Sequence, residues 1–178
     1  NFLFPGPERN LCSMAEASAQ SINFTLERRK IMTSGNIGTT GEAGIRQQLD
    51  TWLKAVLSLD TDGVMAHYAP DVRAFDAIAQ LQFKGEDAYR KHWEACLSMC
   101  PPGQMIFEIH DPEIMADDSV GFCHSLIRCG GMDNGEEKTA WMRMTACYRK
   151  LNGTWKVAHE HFSMPFDMES GKVLELQP

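Results

Sequence analysis

The first place in this chain where proton chemistry could start is Asp76, a carboxylate near the end of the alternating run DVRAFDA over residues 71–77. Phe75 and Ala77 flank it and Ile78 is close by. Facing an apolar cavity, such a carboxyl is pushed up in pKa by desolvation and can shuttle protons; facing water, it is an ordinary strand-end aspartate. A second group of ionisable residues lies in TAWMRMTACYRKLNGTWKVAHEHFSMPF, residues 139–166. Here Trp141, Arg143, Thr145, Glu160, His161 and Phe162 mix charge with aromatic surface, as the wall of a half-polar pocket does. Arg143 can hold a carboxylate bidentately, or pair with Glu160 or Asp76 inside the fold. His159 and His161 have the spacing of two metal ligands, but no third ligand is marked. The expectation is one hydrogen-bonded core histidine and one that titrates near neutrality, with no metal. Tyr68 is a hydrogen-bond donor to an oxyanion or a core residue. No glycine-rich phosphate loop and no Gly-x-Ser-x-Gly occurs, so an ATPase, a dinucleotide enzyme and a serine hydrolase are unsupported.

These side chains need elements to hold them. Ile45, Leu49, Trp52, Leu53, Val56 and Leu57 form one apolar stripe at helical spacing, so a helix starts at Glu42. Asp60 or Thr61 can cap a short second helix over residues 62–68, ended by Pro70. Strands are expected over 71–77 and 81–84, then a third helix over 86–99 with Ala88, Tyr89, His92, Trp93, Cys96 and Leu97 on one face. Pro101 and Pro102 stop it. Strands follow over 105–116 and 119–129, a glycine-rich turn, and a long hairpin turning at Leu151-Asn152-Gly153. In that hairpin strict alternation puts Trp141, Arg143, Thr145 and Cys147 on one face, opposite Met142, Met144, Ala146 and Tyr148. It likewise separates Trp155, Val157, His159 and His161 from Lys156, Ala158, Glu160 and Phe162; one β-bulge would exchange the members that face a cavity. Helices backed by a run of antiparallel strands make an α+β fold.

At 178 residues the chain holds one domain with a real core. Residues 1–40 are rich in Ser, Gly, Pro and Asn and read as an N-terminal extension, flexible or loosely docked, with a short helix over 14–30. The domain proper spans 41–168, and 169–178 form a tail. A net charge of -7 argues against a nucleic-acid partner. No apolar run approaches the roughly 20 residues of a membrane helix. No signal peptide is read from the first residues, and the six cysteines form no CxxC, so reduced thiols in a cytoplasmic protein are expected.

Taken in combination, Tyr68-Ala-Pro-Asp71, Asp76, Gly85-x-x-Ala88-Tyr89, Trp141-x-Arg-x-Thr145, Asn152-Gly-x-Trp-Lys-Val157 and His159-Glu-His-x-Ser-x-Pro165 resemble the SnoaL-like, ketosteroid-isomerase-like branch of the nuclear transport factor 2-like superfamily, over residues 45–167. The resemblance implies a cone-shaped curved sheet wrapped over three N-terminal helices (a cystatin-like roll), a deep pocket and a homodimer. It also implies that Asp76 is the proton-moving aspartate. The oxyanion-hole positions of the true isomerases are occupied by Trp52 and Thr145, weaker donors than a tyrosine and a protonated aspartic acid, which argues against efficient steroid isomerisation. The expected function is cofactor-independent isomerase, cyclase or dehydratase chemistry on a small apolar carbonyl compound. Asp76, His161 and Thr145 would be catalytic, with Trp52, Tyr68, Trp93, Trp141, Arg143, Glu160 and Phe162 binding substrate. The rival is a non-catalytic ligand-binding or oligomerisation module.

Overall fold

The structure, a computed structural model, describes residues 40–178. The expected N-terminal extension and its short helix lie outside the described residues. The first helix, α1 (Thr40–Leu57), buries Ile45, Leu49, Trp52 and Val56, the expected stripe; Leu57, at its last position, is exposed instead. Its acidic Glu42 suits the positive end of the helix dipole. Two glycines let this helix lie close on the sheet. A Cβ on Gly44 would come within 2.7 Å of the Trp155 indole, and one on Gly121 within 2.5 Å of Ile45 Cδ1. The second helix, α2 (Thr61–Met65), is capped by the Asp60 carboxylate, which accepts the Gly63 N–H at 3.0 Å. It ends sooner than expected: Tyr68 does not close it but opens strand β1 (Tyr68–Phe75). Asp76 follows directly on the last residue of that strand.

After a short strand β2 (Phe83–Lys84), helix α3 (Glu86–Ser98) buries Tyr89, His92, Trp93 and Leu97 along one face. The remaining strands are β3 (Met105–Ala116), β4 (Val120–Asp133), β5 (Glu136–Leu151) and β6 (Thr154–Ser163). Together they form one six-stranded sheet in the order β2-β1-β6-β5-β4-β3. All pairs are antiparallel except β1 with β6, so the sheet is mixed. The turns joining β4 to β5 and β5 to β6 are two-residue loops in which both residues take positive φ, Asn134-Gly135 at 53° and 84° and Asn152-Gly153 at 50° and 83°. Both match the right-handed twist of the strands they join.

One local irregularity decides the chemistry of β6. Tyr148 pairs with Val157, but the preceding Cys147 pairs with His159, so Ala158 is an extra residue in β6. Trp155 and Val157 face the core before this bulge, and Glu160 and Phe162 face it after. The strict alternation that would have carried His159 and His161 inward is thereby reversed. On β5 the inward set is Met144, Ala146 and Tyr148, with Arg143 and Thr145 exposed opposite. No helix among the described residues is long and apolar enough to cross a membrane.

Candidate functional site

The inner face of the sheet, the α3 side chains and the segment after β1 enclose a cavity of about 400 Å³. That is the size of a small-molecule site. Its walls are mostly apolar and rich in sulfur: Cys96, Met99 and Cys100 from the end of α3, Met105 and Phe107 from β3, Cys129 from β4, Met142 from β5, and Phe162 and Met164 from β6 and beyond. Unbranched, polarisable methionines adapt to a ligand's shape and make favourable contacts with aromatic rings. A separate small void of about 10 Å³ lies beside Gln48, Trp52 and Glu160. It has room for a single water and for no ligand.

Polar chemistry enters the large cavity at Asp76, His92 and Trp93. Asp76 is held where β1 ends: its Oδ1 accepts the Ile78 N–H at 3.3 Å, and its Oδ2 lies 3.1 Å from His92 Nε2. The side chains of Asp76 and His92 are 13% and 6% exposed, so the pair is shielded while still bordering the cavity. Burial works to lower the pKa of His92, but the hydrogen bonds to Asp76 and Cys96 and the Asp76 charge overcome it and raise the pKa to about 9. His92 is therefore an imidazolium at neutral pH. Phe83 stacks on its ring at 4.4 Å between centroids, and Cys96 Sγ lies 3.6 Å from its Nε2. The Trp93 indole N–H is buried and has no hydrogen-bond partner among the described residues.

Behind this pair runs a buried polar network. Trp52 Nε1–H donates to the Tyr68 hydroxyl at 3.1 Å, and Tyr68 donates to Glu160 Oε1 at 2.9 Å. The Tyr89 hydroxyl touches the same Glu160 Oε1 and stands 3.3 Å from Asp76 Oδ2. Glu160 is 2% exposed. Desolvation raises its pKa to about 7, against the opposing hydrogen bonds from Tyr89 and Tyr68. Burial, followed by the nearby Glu160 charge, holds both phenols well above their ordinary pKa and keeps them protonated.

The expected site residues thus fall into three groups. Asp76, Trp93 and Phe162 border the cavity; Trp52, Tyr68 and Glu160 form the network behind it. The indole N–H of Trp52 is engaged by Tyr68, which removes it as a donor to a ligand. Thr145 and His161, expected at the reacting atoms, are paired across the sheet on its outer face and exposed. Arg143 and Trp141 border a different groove, of about 280 Å³, with Leu126 and Leu176, and the Trp141 indole donates to Gln177 at 2.9 Å. His159 also turns away from the cavity, its Nδ1–H donating to the Arg73 carbonyl of β1 at 2.7 Å. Sequence reasoning had no role for His92 and Tyr89, which sit at helical spacing on an apolar face and look like core.

Comparison with known proteins bears on the fold. The sequence profile of the SnoaL-like domain matches residues 45–167. An NTF2-like protein of unknown function from Pseudomonas putida KT2440 is 46% identical, with 77% of this chain and 96% of that chain covered and a TM-score of 0.72. A ketosteroid isomerase-like protein from Erwinia carotovora atroseptica SCRI1043 is 19% identical, covering 68% and 94% at a TM-score of 0.55. A protein of unknown function with a cystatin-like fold from Nostoc punctiforme PCC 73102 is 15% identical, covering 68% and 88% at 0.58. The latter two speak for the fold alone. No curated protein matches the chain.

Proposed function

The chain belongs to the SnoaL-like domain family, and we propose that it is a cofactor-independent proton-transfer enzyme, of isomerase or dehydratase type, acting on a small, mainly apolar carbonyl compound. The observation that carries this reading is the Asp76–His92 pair, 3.1 Å apart in the wall of the large cavity. Asp76 takes a proton from the carbon next to the carbonyl, and the C–H electron pair becomes the new C=C bond of an enol or enolate. The His92 imidazolium has a second N–H besides the Nε2–H turned to Asp76, and it donates that hydrogen to the oxygen on which charge develops. Where the substrate carries a β,γ-double bond, the enol is a conjugated dienol. Return of the proton to the γ-carbon then moves the double bond into conjugation with the carbonyl and completes an isomerisation. Where the substrate carries a β-hydroxyl, transfer of the His92 proton to the leaving oxygen releases water instead. The unspent Trp93 N–H supports a polar acceptor on the ligand, because a buried donor without a partner is costly.

The test is exchange of α-protons from cyclic ketones such as 2-tetralone in D₂O, followed by NMR with the full chain. Acceleration over buffer that drops by at least about 100-fold in Asp76→Asn is expected. Equal exchange by the wild type and Asp76→Asn would sink the assignment. Retained binding with no acceleration would make the pocket a carrier, the non-catalytic alternative. The proposal also keeps the homodimer expectation. Phe75, Phe122 and Met115 are exposed apolar side chains, and sedimentation of a Phe122→Asp variant tests whether they join two copies.

A further inference from the structure

We infer that Tyr89 carries one hydroxyl hydrogen between two carboxylates, so that whether Glu160 holds a proton decides whether Asp76 is hydrogen-bonded by Tyr89. The inference rests on hydrogen counting. A phenol has a single O–H to donate, and Tyr89 has two carboxylate oxygens within reach, Glu160 Oε1 and Asp76 Oδ2 at 3.3 Å. Tyr68 cannot relieve the competition. Its oxygen already receives the Trp52 N–H and its own hydrogen goes to Glu160. When Glu160 is ionised, Oε1 accepts from both phenols, and Asp76 keeps only His92 and the Ile78 N–H. When Glu160 is protonated, its hydrogen has one free acceptor in this network, the Tyr89 oxygen, and the Tyr89 hydrogen turns to Asp76. No heavy-atom bond changes; one proton enters or leaves Glu160 and one hydroxyl rotates.

The consequence for Asp76 has a definite sign. With Glu160 protonated, Asp76 accepts an extra hydrogen bond and is a weaker base. With Glu160 ionised, it loses that donor and gains a negative neighbour, and both changes strengthen it. The switch belongs near neutrality, since Glu160 titrates at about 7. The other groups facing Glu160 are accounted for: Tyr68 from β1, Tyr89 and His92 from α3, Asp76 after β1, and Tyr148 from β5. Both phenols of the network and Tyr148 stay protonated across this range, and His92 stays charged until about pH 9. Of Glu160, His92 and the three phenols, Glu160 is the group that changes charge at neutrality in the free protein. Tyr89 is accordingly a positioning residue acting through Asp76.

The direct test is ¹³C NMR titration of the Asp76 and Glu160 carboxyl carbons in the full chain. In the wild type the Asp76 resonance should move in step with Glu160 near pH 7. Glu160→Gln should erase that step. Tyr89→Phe, which keeps the ring, should leave Glu160 titrating while shrinking the response of Asp76. A wild-type Asp76 resonance that does not move at the Glu160 midpoint overturns the inference without any variant. An undiminished step in Tyr89→Phe also overturns it, because charge alone would then explain the coupling. This readout needs no substrate and so stands apart from the proposed reaction, on which only the catalytic meaning rests. If that reaction holds, Asp76-dependent exchange should rise on the order of tenfold between pH 6 and 8 and stay at its low-pH rate in Glu160→Gln.

Discussion

Glu160 and His161 are neighbours on β6 and stand in opposite surroundings. Glu160 is 2% exposed, takes hydrogen bonds from two phenols and has its pKa raised to about 7 by desolvation. His161 is exposed on the other face, its ring 5.8 Å from that of Phe75. The same contrast runs through β5, where Met144 and Ala146 are buried and Arg143 and Thr145 are exposed. Residue type alone favours the histidine, the arginine and the threonine as chemical groups. Surroundings favour the glutamate, because a charge is perturbed where water is excluded and partners are fixed.

The largest effect that separates the two faces should be on rate. Asp76→Asn or His92→Gln should each slow α-proton exchange by about 100-fold or more, whereas Thr145→Val and His161→Gln should stay within about twofold. A large loss from either outer-face variant would break the comparison. The next effect is on stability against pH. Glu160 ionises at about 7 in the folded chain and near its ordinary value when unfolded, so between those values the folded state holds the extra proton. Stability therefore falls as pH rises from about 4.5 to 7, by roughly 3 kcal/mol. His92 adds a fall of similar size: its stabilisation is full below about pH 6.5 and is lost as pH rises through about 9. Denaturant melts at pH 5.5, 7 and 9 should show the decline. Glu160→Gln should remove its acid-side limb and leave the His92 limb.

Much of the fold was legible because its signals are local. The stripe from Ile45 to Val56, the Asp60 cap, the proline stop after α3 and the Asn152-Gly153 turn each depend on residues a few positions apart. Asp76 was legible as a candidate for the same reason, sitting where an alternating run ends among apolar residues. The rest of the site was not, because its partners come from distant elements. His92 and Tyr89 have the spacing of core positions on α3, and only the return of β1 beside that helix turns them into partners of Asp76. On β6, alternation correctly grouped Glu160 with Phe162 and His159 with His161. It failed at Ala158, whose extra place in the strand links Val157 to Glu160 rather than to His159. A bulge leaves no compositional mark that alternation can detect.

The smallest contrast is also the most direct, since it compares adjacent residues. Glu160→Ala leaves the Tyr68 hydroxyl, already fed by Trp52, without an acceptor in a buried site, while Tyr89 can still turn to Asp76. One orphaned hydroxyl and the lost packing should cost about 2 kcal/mol, less whatever is regained by no longer burying a charge. That regain grows with pH, so the cost of Glu160→Ala should be greatest at pH 5.5, where Glu160 is protonated, and should shrink by pH 8. His161→Ala removes an exposed ring beside Phe75 and should cost under about 0.5 kcal/mol with no such pH trend. Urea denaturation of the two variants at both pH values decides it. Equal costs at pH 5.5 would mean that the bulge at Ala158 does not separate the two side chains, and the assignment of the inner face would have to be redrawn.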